Sequence, residues 1–579
     1  MIINNELFTR RPLDFEIPND GVTNVDRPDD SNQWKVLEYE LTSFVCEGEY
    51  EHGLQRILDS YIRHRGSTTQ PAVWVSGFYG SGKSHLVRVL QHLWADTTFP
   101  NGATARGLTN LPQDIRDQLV ELSTIGKRDG ASPWAAAGAL DRSGDSLNAV
   151  FLSIVLGSAG LPARVAPTQV ALWLAGKGQL DAVRSHVEEA GGDFIEELGE
   201  YNLSSLLANA ILAVDPGFAD TGADVRKALR SQFPPDTRSL TTAETIALLR
   251  RVLRHAGGGV VPPTLIVLDE VQQYISGDDG RAGEVQNLVE SVSRELEGRV
   301  LLVATGQQEL TADATLQKIQ DRFTVKVVLK NQDVDAVVRR VLLNKESAER
   351  PLLERTLADV AGPISRQLVG SKIQHSAQDD KDLLEDYPLL PSRRRFWESV
   401  LRQADAGRAG QLRSQLRIVH DANRQVAPAV VGNVVGADFL YSAKHEDLNG
   451  AGLLLKETQR LIHEQGQKDP LRGRVLGLIH LISLLPTTGH ADIGVRATSD
   501  HLVDLLVEDL AHDGERLRQA VPPLLEQMAE EGILQQDGDE YRLQTAAGRT
   551  WDEAFRRHTA QLTDSEITTE RDKLLREDV

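Results

Sequence analysis

The chain has 579 residues, room for roughly three to five domains of ordinary size. With 40% hydrophobic and 25% charged residues it has the composition of a folded globular protein rather than a disordered one. Its net charge of −21 repels polyanions and argues against broad electrostatic capture of DNA or of an anionic membrane. One cysteine, Cys46, excludes an intrachain disulfide, and no Cys/His cluster has metal-ligand spacing. The opening MIINNELFTRRPLDFE lacks the apolar core of a secretory signal, and no apolar run approaches the ~18 residues of a membrane span. A cytoplasmic, multidomain protein with no membrane partner is expected.

Residues 1–33 read as a polar loop region with Pro12, Pro18 and Pro28. Helices follow over 34–65, where Leu54, Ile57, Leu58 and Ile62 recur at helical spacing. A short strand, Ala72–Val75, leads into the glycine-rich SGFYGSGKS and a helix carrying Leu86, Val89, Leu90 and Leu93. The apolar run Ala149–Leu156 reads as a second strand, and 166–256 as mostly helical, broken at Gly191-Gly192 and at DPGFADTGAD. Strand Leu265–Leu268 ends in Asp-Glu, a helix spans 281–297, strand Val300–Ala304 ends at Thr305, and a helix–strand pair covers 315–321 and 323–329. Strands alternating with helices, without hairpin signals, predict an α/β fold with a parallel sheet.

Helical patterns resume at 333–345 and 391–465, separated by the acidic QDDKDLLEDYP (378–388), which reads as a surface loop or linker. From about 472 a compact unit is expected: a helix with Leu476, Ile479 and Leu481, a short strand 492–497, helices at 500–511 and 514–530, and a hairpin turning at Asp537-Gly538. Three helices and a two-stranded ribbon are the pattern of a winged helix. The expected division is therefore an N-terminal segment with leading helices (1–66) and a P-loop ATPase core (67–345) with a helical insertion near 157–256. An α-helical lid (346–470), a winged-helix domain (471–550) and a polar helical tail (551–579) follow.

The segment Gly77-Phe-Tyr79-Gly80-Ser81-Gly82-Lys83-Ser84 matches G-x-x-x-x-G-K-[ST] at every fixed position, between a strand and a helix. Glycines let the backbone wrap its N–H groups around phosphate oxygens, and the helix N-terminus adds a favourable dipole. Residues Gly77 and Tyr79 to His85 are thus the candidate ATP-binding set. Lys83 reaches the β- and γ-phosphates, and the Ser84 hydroxyl takes one Mg²⁺ position. Asp269, at the end of a buried strand, supplies the second Mg²⁺ group, and Glu270 beside it is the natural general base for water. An acid pair directly in this order favours hydrolysis over transfer to a small acceptor.

Three further residues are candidates. Thr305 would stand between the γ-phosphate and the metal carboxylate, unless it is only a strand-end turn residue. Arg322, in QDRF, would reach a neighbouring subunit's γ-phosphate as an arginine finger, or else pair with Asp321 at the surface. Arg413, in Gly410-Gln-Leu-Arg413, would contact the phosphates from the lid, with Arg417 one turn later as its rival.

In this order, the P-loop, LDE, strand-end Thr, R-F before the last strand and G-x-x-R in a helical lid resemble an AAA+-type ATPase of the origin-recognition-like or STAND branch. LFTRRP…GVTNVDRPDD, VWVSGFYGSGKSHLVRVL and QLRSQLRIVHDA further resemble the P-loop ATPase family of BREX phage-defence systems (BrxC/PglY). The resemblance implies ATP and Mg²⁺ as cofactors, nucleotide-dependent homo-oligomerisation, and work beside other BREX proteins, among them a methyltransferase and a phosphatase-like protein. It assigns phosphate and Mg²⁺ binding to Lys83 and Ser84, hydrolysis to Asp269 and Glu270, and nucleotide sensing to Thr305, Arg322 and Arg413. Two features depart from it: roughly 180 residues separate the P-loop from LDE, and the family's chains are longer, so this one would be an N-terminal portion or a short variant. A nucleotide-gated assembly switch with slow turnover and a DNA-loading ATPase remain as alternatives. DNA contact is disfavoured in the C-terminal module, where residues 491–579 carry 10 Lys and Arg against 21 Asp and Glu and Arg542 is the obvious cation of the wing.

Overall fold

A computed structural model describes residues 2–17, 28, 30–67, 70–77, 81–140, 146–235, 240–311, 313–405 and 415–544. The chain divides into two compact units: Val22–Val337, and Met1–Gly21 together with Val338–Val579.

The first unit is built on five parallel strands: β1 (Val73–Gly77), β2 (Trp134–Ala139), β3 (Thr264–Asp269), β4 (Val300–Gly306) and β5 (Val325–Leu329). Their spatial order is β2-β3-β4-β1-β5. The central strands are apolar along their whole length because both faces are covered. Val73, Val75, Leu265, Val267, Leu301 and Val303 turn to one face, which is packed by α1 (Ser31–Thr42), α2 (Gly48–His64), α3 (Lys83–Ala95), α4 (Ala105–Leu108) and α5 (Gln113–Asp129). Trp74, Ile266, Leu268, Leu302 and Ala304 turn to the other. There they meet α6 (Leu147–Ser158), then five helices over 165–232 (α7 Val165–Gly176, α8 Leu180–Glu189, α9 Phe194–Gly199, α10 Ser205–Val214, α11 Gly222–Gln232). That face is completed by α12 (Thr242–Ala256), α13 (Val271–Ile275), α14 (Asp279–Glu295) and α15 (Ala314–Gln317). The helices over 165–232 share one continuous apolar cluster with the sheet, through Val170, Leu174, Val183, Leu207 and Ile211.

The expected strand at 149–156 is instead the centre of α6. A run apolar on all sides is also what a buried helix looks like, and Ser146 caps this one by accepting the Ala149 amide at 3.4 Å. The second strand is β2, WAAAGA, which sequence reading missed because Ala and Gly carry no strand propensity. Its small residues answer to packing: a Cβ on Gly138 would sit 2.6 Å from Ile154 Cγ1 of α6. At the far edge α2 covers β5 just as closely, with a Cβ on Gly53 falling 2.7 Å from Val327 Cγ1.

In the second unit the chain's beginning is not a free polar loop. Leu7 and Phe8 are buried, and Ile3 and Phe8 form antiparallel bridges to Val430 and Lys345. The fully buried Asn4 donates to the carbonyls of Val426 (3.1 Å) and Asn433 (2.9 Å) and accepts the Tyr387 hydroxyl at 2.6 Å. The acidic stretch expected as a loop is a helix, Asp379–Asp386, in which two of the acids, Asp379 and Asp386, are buried against arginines. Asp386 receives Arg339 through two hydrogen bonds (2.6 and 3.0 Å) and Arg394 through one (3.1 Å), while Asp379 receives Arg395 at 2.7 and 2.9 Å. Further along come helices Pro470–Ser483, Ser499–Leu506 and Asp513–Glu530 and the antiparallel pair Leu534–Asp537 and Glu540–Leu543, turning on Gly538 at φ 62°. The expected strand 492–497 is irregular chain; sheet pairing there is reduced to one bridge, Thr498 to Glu540. Among the described residues no helix is long and apolar enough to cross a membrane.

Candidate nucleotide site

Because all five strands run in one direction, their C-terminal ends share one edge, where a parallel sheet offers loops and helix N-termini to a ligand. β1 ends there at Gly77 and α3 begins at Lys83, so the P-loop opens on this edge. A Cβ at Gly77 would meet Ser81 Oγ at 2.5 Å, and Gly82 holds φ 82°, a left-handed conformation that glycine adopts freely. Lys83 Nζ donates to the Gly77 carbonyl at 2.8 Å, folding back along the loop it belongs to. Burial pushes the Lys83 ammonium down to about 8, an effect that the carboxylates of Asp269 and Glu270 partly offset.

The strand order explains that influence. β4 lies between β1 and β3, pairing Thr305 with Val75 on one side and Ala304 with Leu268 on the other. Thr305 is therefore brought between the P-loop strand and Asp269. Its hydroxyl donates to Asp269 Oδ1 and accepts the Glu270 amide at 3.0 Å, and the same amide also reaches Asp269 Oδ1 at 3.1 Å. Glu270 sits at φ 61°, an uncommon conformation for a residue with a side chain, and its doubly accepted amide is what holds it there. Oδ1 is thus engaged by the protein, while Oδ2 makes no hydrogen bond among the described residues. One carboxylate and one hydroxyl suit Mg²⁺, which takes few protein ligands and completes its shell with phosphate and water. No cluster of three or more His, Cys, Asp or Glu able to cage a metal occurs among the described residues, so a metal here would depend on phosphate ligands.

The remaining candidates are placed as follows. His85 turns its Nε2 to the Glu40 carbonyl at 3.1 Å and packs edge-on against Phe44. Arg322 precedes β5, and its carbonyl accepts the Ala72 amide at 2.9 Å, so it stands at the N-terminal edge of the sheet. The length of β1, about 16 Å at ~3.3 Å per residue, separates it from its own P-loop. There Arg322 pairs with Glu290 of α14 at 3.0 Å. Tyr79, Gly80 and Arg413 lie outside the described residues. Arg417, in the second unit, has Asp421 as an ion-pair partner at 3.7 Å.

Several residues that sequence reading passed over support this edge. The buried Tyr50 donates its hydroxyl to the Ser81 carbonyl at 2.7 Å. Glu40 and Arg88 form a buried ion pair at 3.0 Å between α1 and α3. Gln272 Oε1 accepts the amides of Gln307 and Gln308 at 2.6 and 2.9 Å, fixing the turn after Thr305. In the sequence each of these reads as an ordinary helix residue, and only the pairing across elements distinguishes it. No family model matches the chain.

Proposed function

We propose that the protein binds and hydrolyses ATP with Mg²⁺ as an AAA+-like machine component. The observation that carries this reading is the hydrogen-bonded set Asp269–Thr305–Glu270 beside the Lys83 P-loop. Lys83 and the loop amides would hold the phosphates, and Ser84 with Asp269 Oδ2 would hold Mg²⁺, which when bound neutralises developing charge on the transferred phosphoryl group. Glu270, with its backbone pinned, would take the proton from the attacking water. Arg322 stands at the opposite edge of the sheet, so a role on nucleotide would be played on a neighbouring copy; the homo-oligomer is proposed from the family resemblance.

The likeness of three sequence blocks to the BREX P-loop ATPases supports placing this activity in phage defence, beside a methyltransferase and a phosphatase-like protein. The helical region after residue 346 would serve as lid. The helices from Pro470 to Glu530, with their two-stranded ribbon, support a winged-helix domain whose acidic balance favours protein over DNA contact. Steady-state phosphate release by the full chain tests the activity: wild type should turn over ATP, Lys83→Ala should lose nucleotide binding, and Glu270→Gln should bind but not hydrolyse. Equal turnover by all three would reject the reading; ATP-dependent assembly with no turnover would favour a switch.

A further inference from the structure

The nucleotide site has a support that its motifs do not contain. The helical pair α1–α2 meets the P-loop and the helix after it at three points: Tyr50 Oη on the Ser81 carbonyl (2.7 Å), the Glu40 carbonyl on His85 Nε2 (3.1 Å), and the buried Glu40–Arg88 ion pair (3.0 Å). Of these only Tyr50 acts on the loop itself. Its hydroxyl fixes the peptide that joins Ser81 to Gly82, and the amide of that peptide belongs to the loop's anion-facing backbone. Gly82 is pressed beneath the same ring: a Cβ there would fall 2.5 Å from Tyr50 Oη and 3.4 Å from Cζ. Tyr50 is itself held by an edge-on contact with Phe44, which also packs against His85.

We propose that Tyr50 is a positioning residue for the phosphate-binding loop, setting the direction of the Ser81–Gly82 peptide so that its N–H points at a nucleotide phosphate. The proposal rests on the ATP-binding reading and deepens it: the N-terminal helical pair becomes part of the nucleotide site, and phosphate binding becomes coupled to the order of α2.

The test measures binding of a fluorescent ATP analogue with Mg²⁺ to full-length wild type, Tyr50→Phe and Lys83→Ala, together with melting temperatures without nucleotide. Removing one hydrogen bond that orients the loop should weaken ATP binding about two- to tenfold. The unliganded melting temperature should move by no more than about 2–4 °C. A merely structural tyrosine would lower melting and leave affinity unchanged well below the transition. If Lys83→Ala loses binding while Tyr50→Phe binds as wild type does, the positioning role is overturned and the P-loop reading stands. If wild type fails to bind ATP, or Lys83→Ala binds equally well, both fall together. Should Tyr50→Phe not fold, hydrogen exchange on wild type decides. Mg²⁺–ATP should slow exchange across 48–55 as well as 81–86, and protection confined to 81–86 would overturn the proposal.

Discussion

Thr305 and Asp269 belong to adjacent strands, and the threonine hydroxyl donates a hydrogen bond to the aspartate while accepting one from the amide of the next residue, Glu270. One β-hydroxyl therefore fixes both the carboxylate proposed for Mg²⁺ and the backbone of the proposed base. Thr305→Val keeps the shape but removes both hydrogen bonds. It should lower kcat for ATP about ten- to a hundredfold, in line with the loss of a hydrogen bond that orients a metal-binding carboxylate. ATP affinity should stay within about threefold, because Lys83 and the loop amides are untouched. Stopped-time phosphate release and equilibrium binding separate the two, and an unaltered kcat would remove Thr305 from the machinery.

Arg322 stands at the opposite edge of the sheet from Lys83. If it serves a neighbour's nucleotide, Arg322→Ala and Lys83→Ala should each be inactive alone yet regain part of the wild-type rate when mixed. The mixed assembly then pairs an intact P-loop with an intact arginine. A mixture as inactive as its components would confine Arg322 to its pairing with Glu290.

Asp386 is buried between Arg339 and Arg394. Asp386→Ala would remove the buried carboxylate that the two guanidinium groups share, leaving Arg339 with Asp382 at 3.0 Å and Arg394 with Glu398 at 3.6 Å, a change that should cost about 1–3 kcal/mol. Chemical denaturation should show this loss in the second unit's transition. A stability change within about 0.5 kcal/mol, the usual range for an inconsequential surface substitution, would contradict the arrangement.

Gly138 and Ile154 leave no room for a side chain between β2 and α6. Gly138→Val should destabilise the first unit by about 1–3 kcal/mol through overpacking. Pairing it with Ile154→Ala should recover part of the loss, whereas strictly additive effects would refute the contact.

Two buried histidines make the protein acid-sensitive. Burial, helped by the nearby Arg88 charge, pushes His92 down to about 3, and burial pushes His480 down to about 4, from an ordinary 6.5. Between those values and 6.5 the unfolded chain binds protons that the folded one does not, so stability rises with pH across that window. Their contribution is full above about pH 6.5 and is lost as the pH falls toward 4. Melting temperatures taken from pH 7.5 to 4.5 should decline, less steeply in His480→Gln. An identical slope in the variant would exclude His480 as a cause.

Much of the site was legible because its chemistry is local. Gly77 to Ser84 are one continuous stretch of sequence, and Asp269-Glu270 follow a strand whose apolar run marks it as buried. What sequence could not give was adjacency. Nothing in the spacing of Tyr50 and Ser81, or of Glu40 and Arg88, shows that they touch, because those contacts arise only once α1 and α2 lie on the sheet. Strand β2 stayed hidden because its alanines and Gly138 were selected by the closeness of α6 rather than by strand propensity. The helix at 147–158 was mistaken for a strand for the complementary reason: an element apolar on every side has no periodicity to read. The helix Asp379–Asp386 looked like a solvent loop because its partner arginines are distant in sequence.

Asn4 hydrogen-bonds to Tyr387 across 383 residues, and the whole of the first unit is encoded between them. During synthesis at roughly 5–20 residues per second, the N-terminal segment waits on the order of 20–80 seconds before its partner is made. In that interval the first unit is already complete and free to fold. The second unit then closes around the chain's own beginning, so the first unit is joined to it by two covalent crossings rather than one.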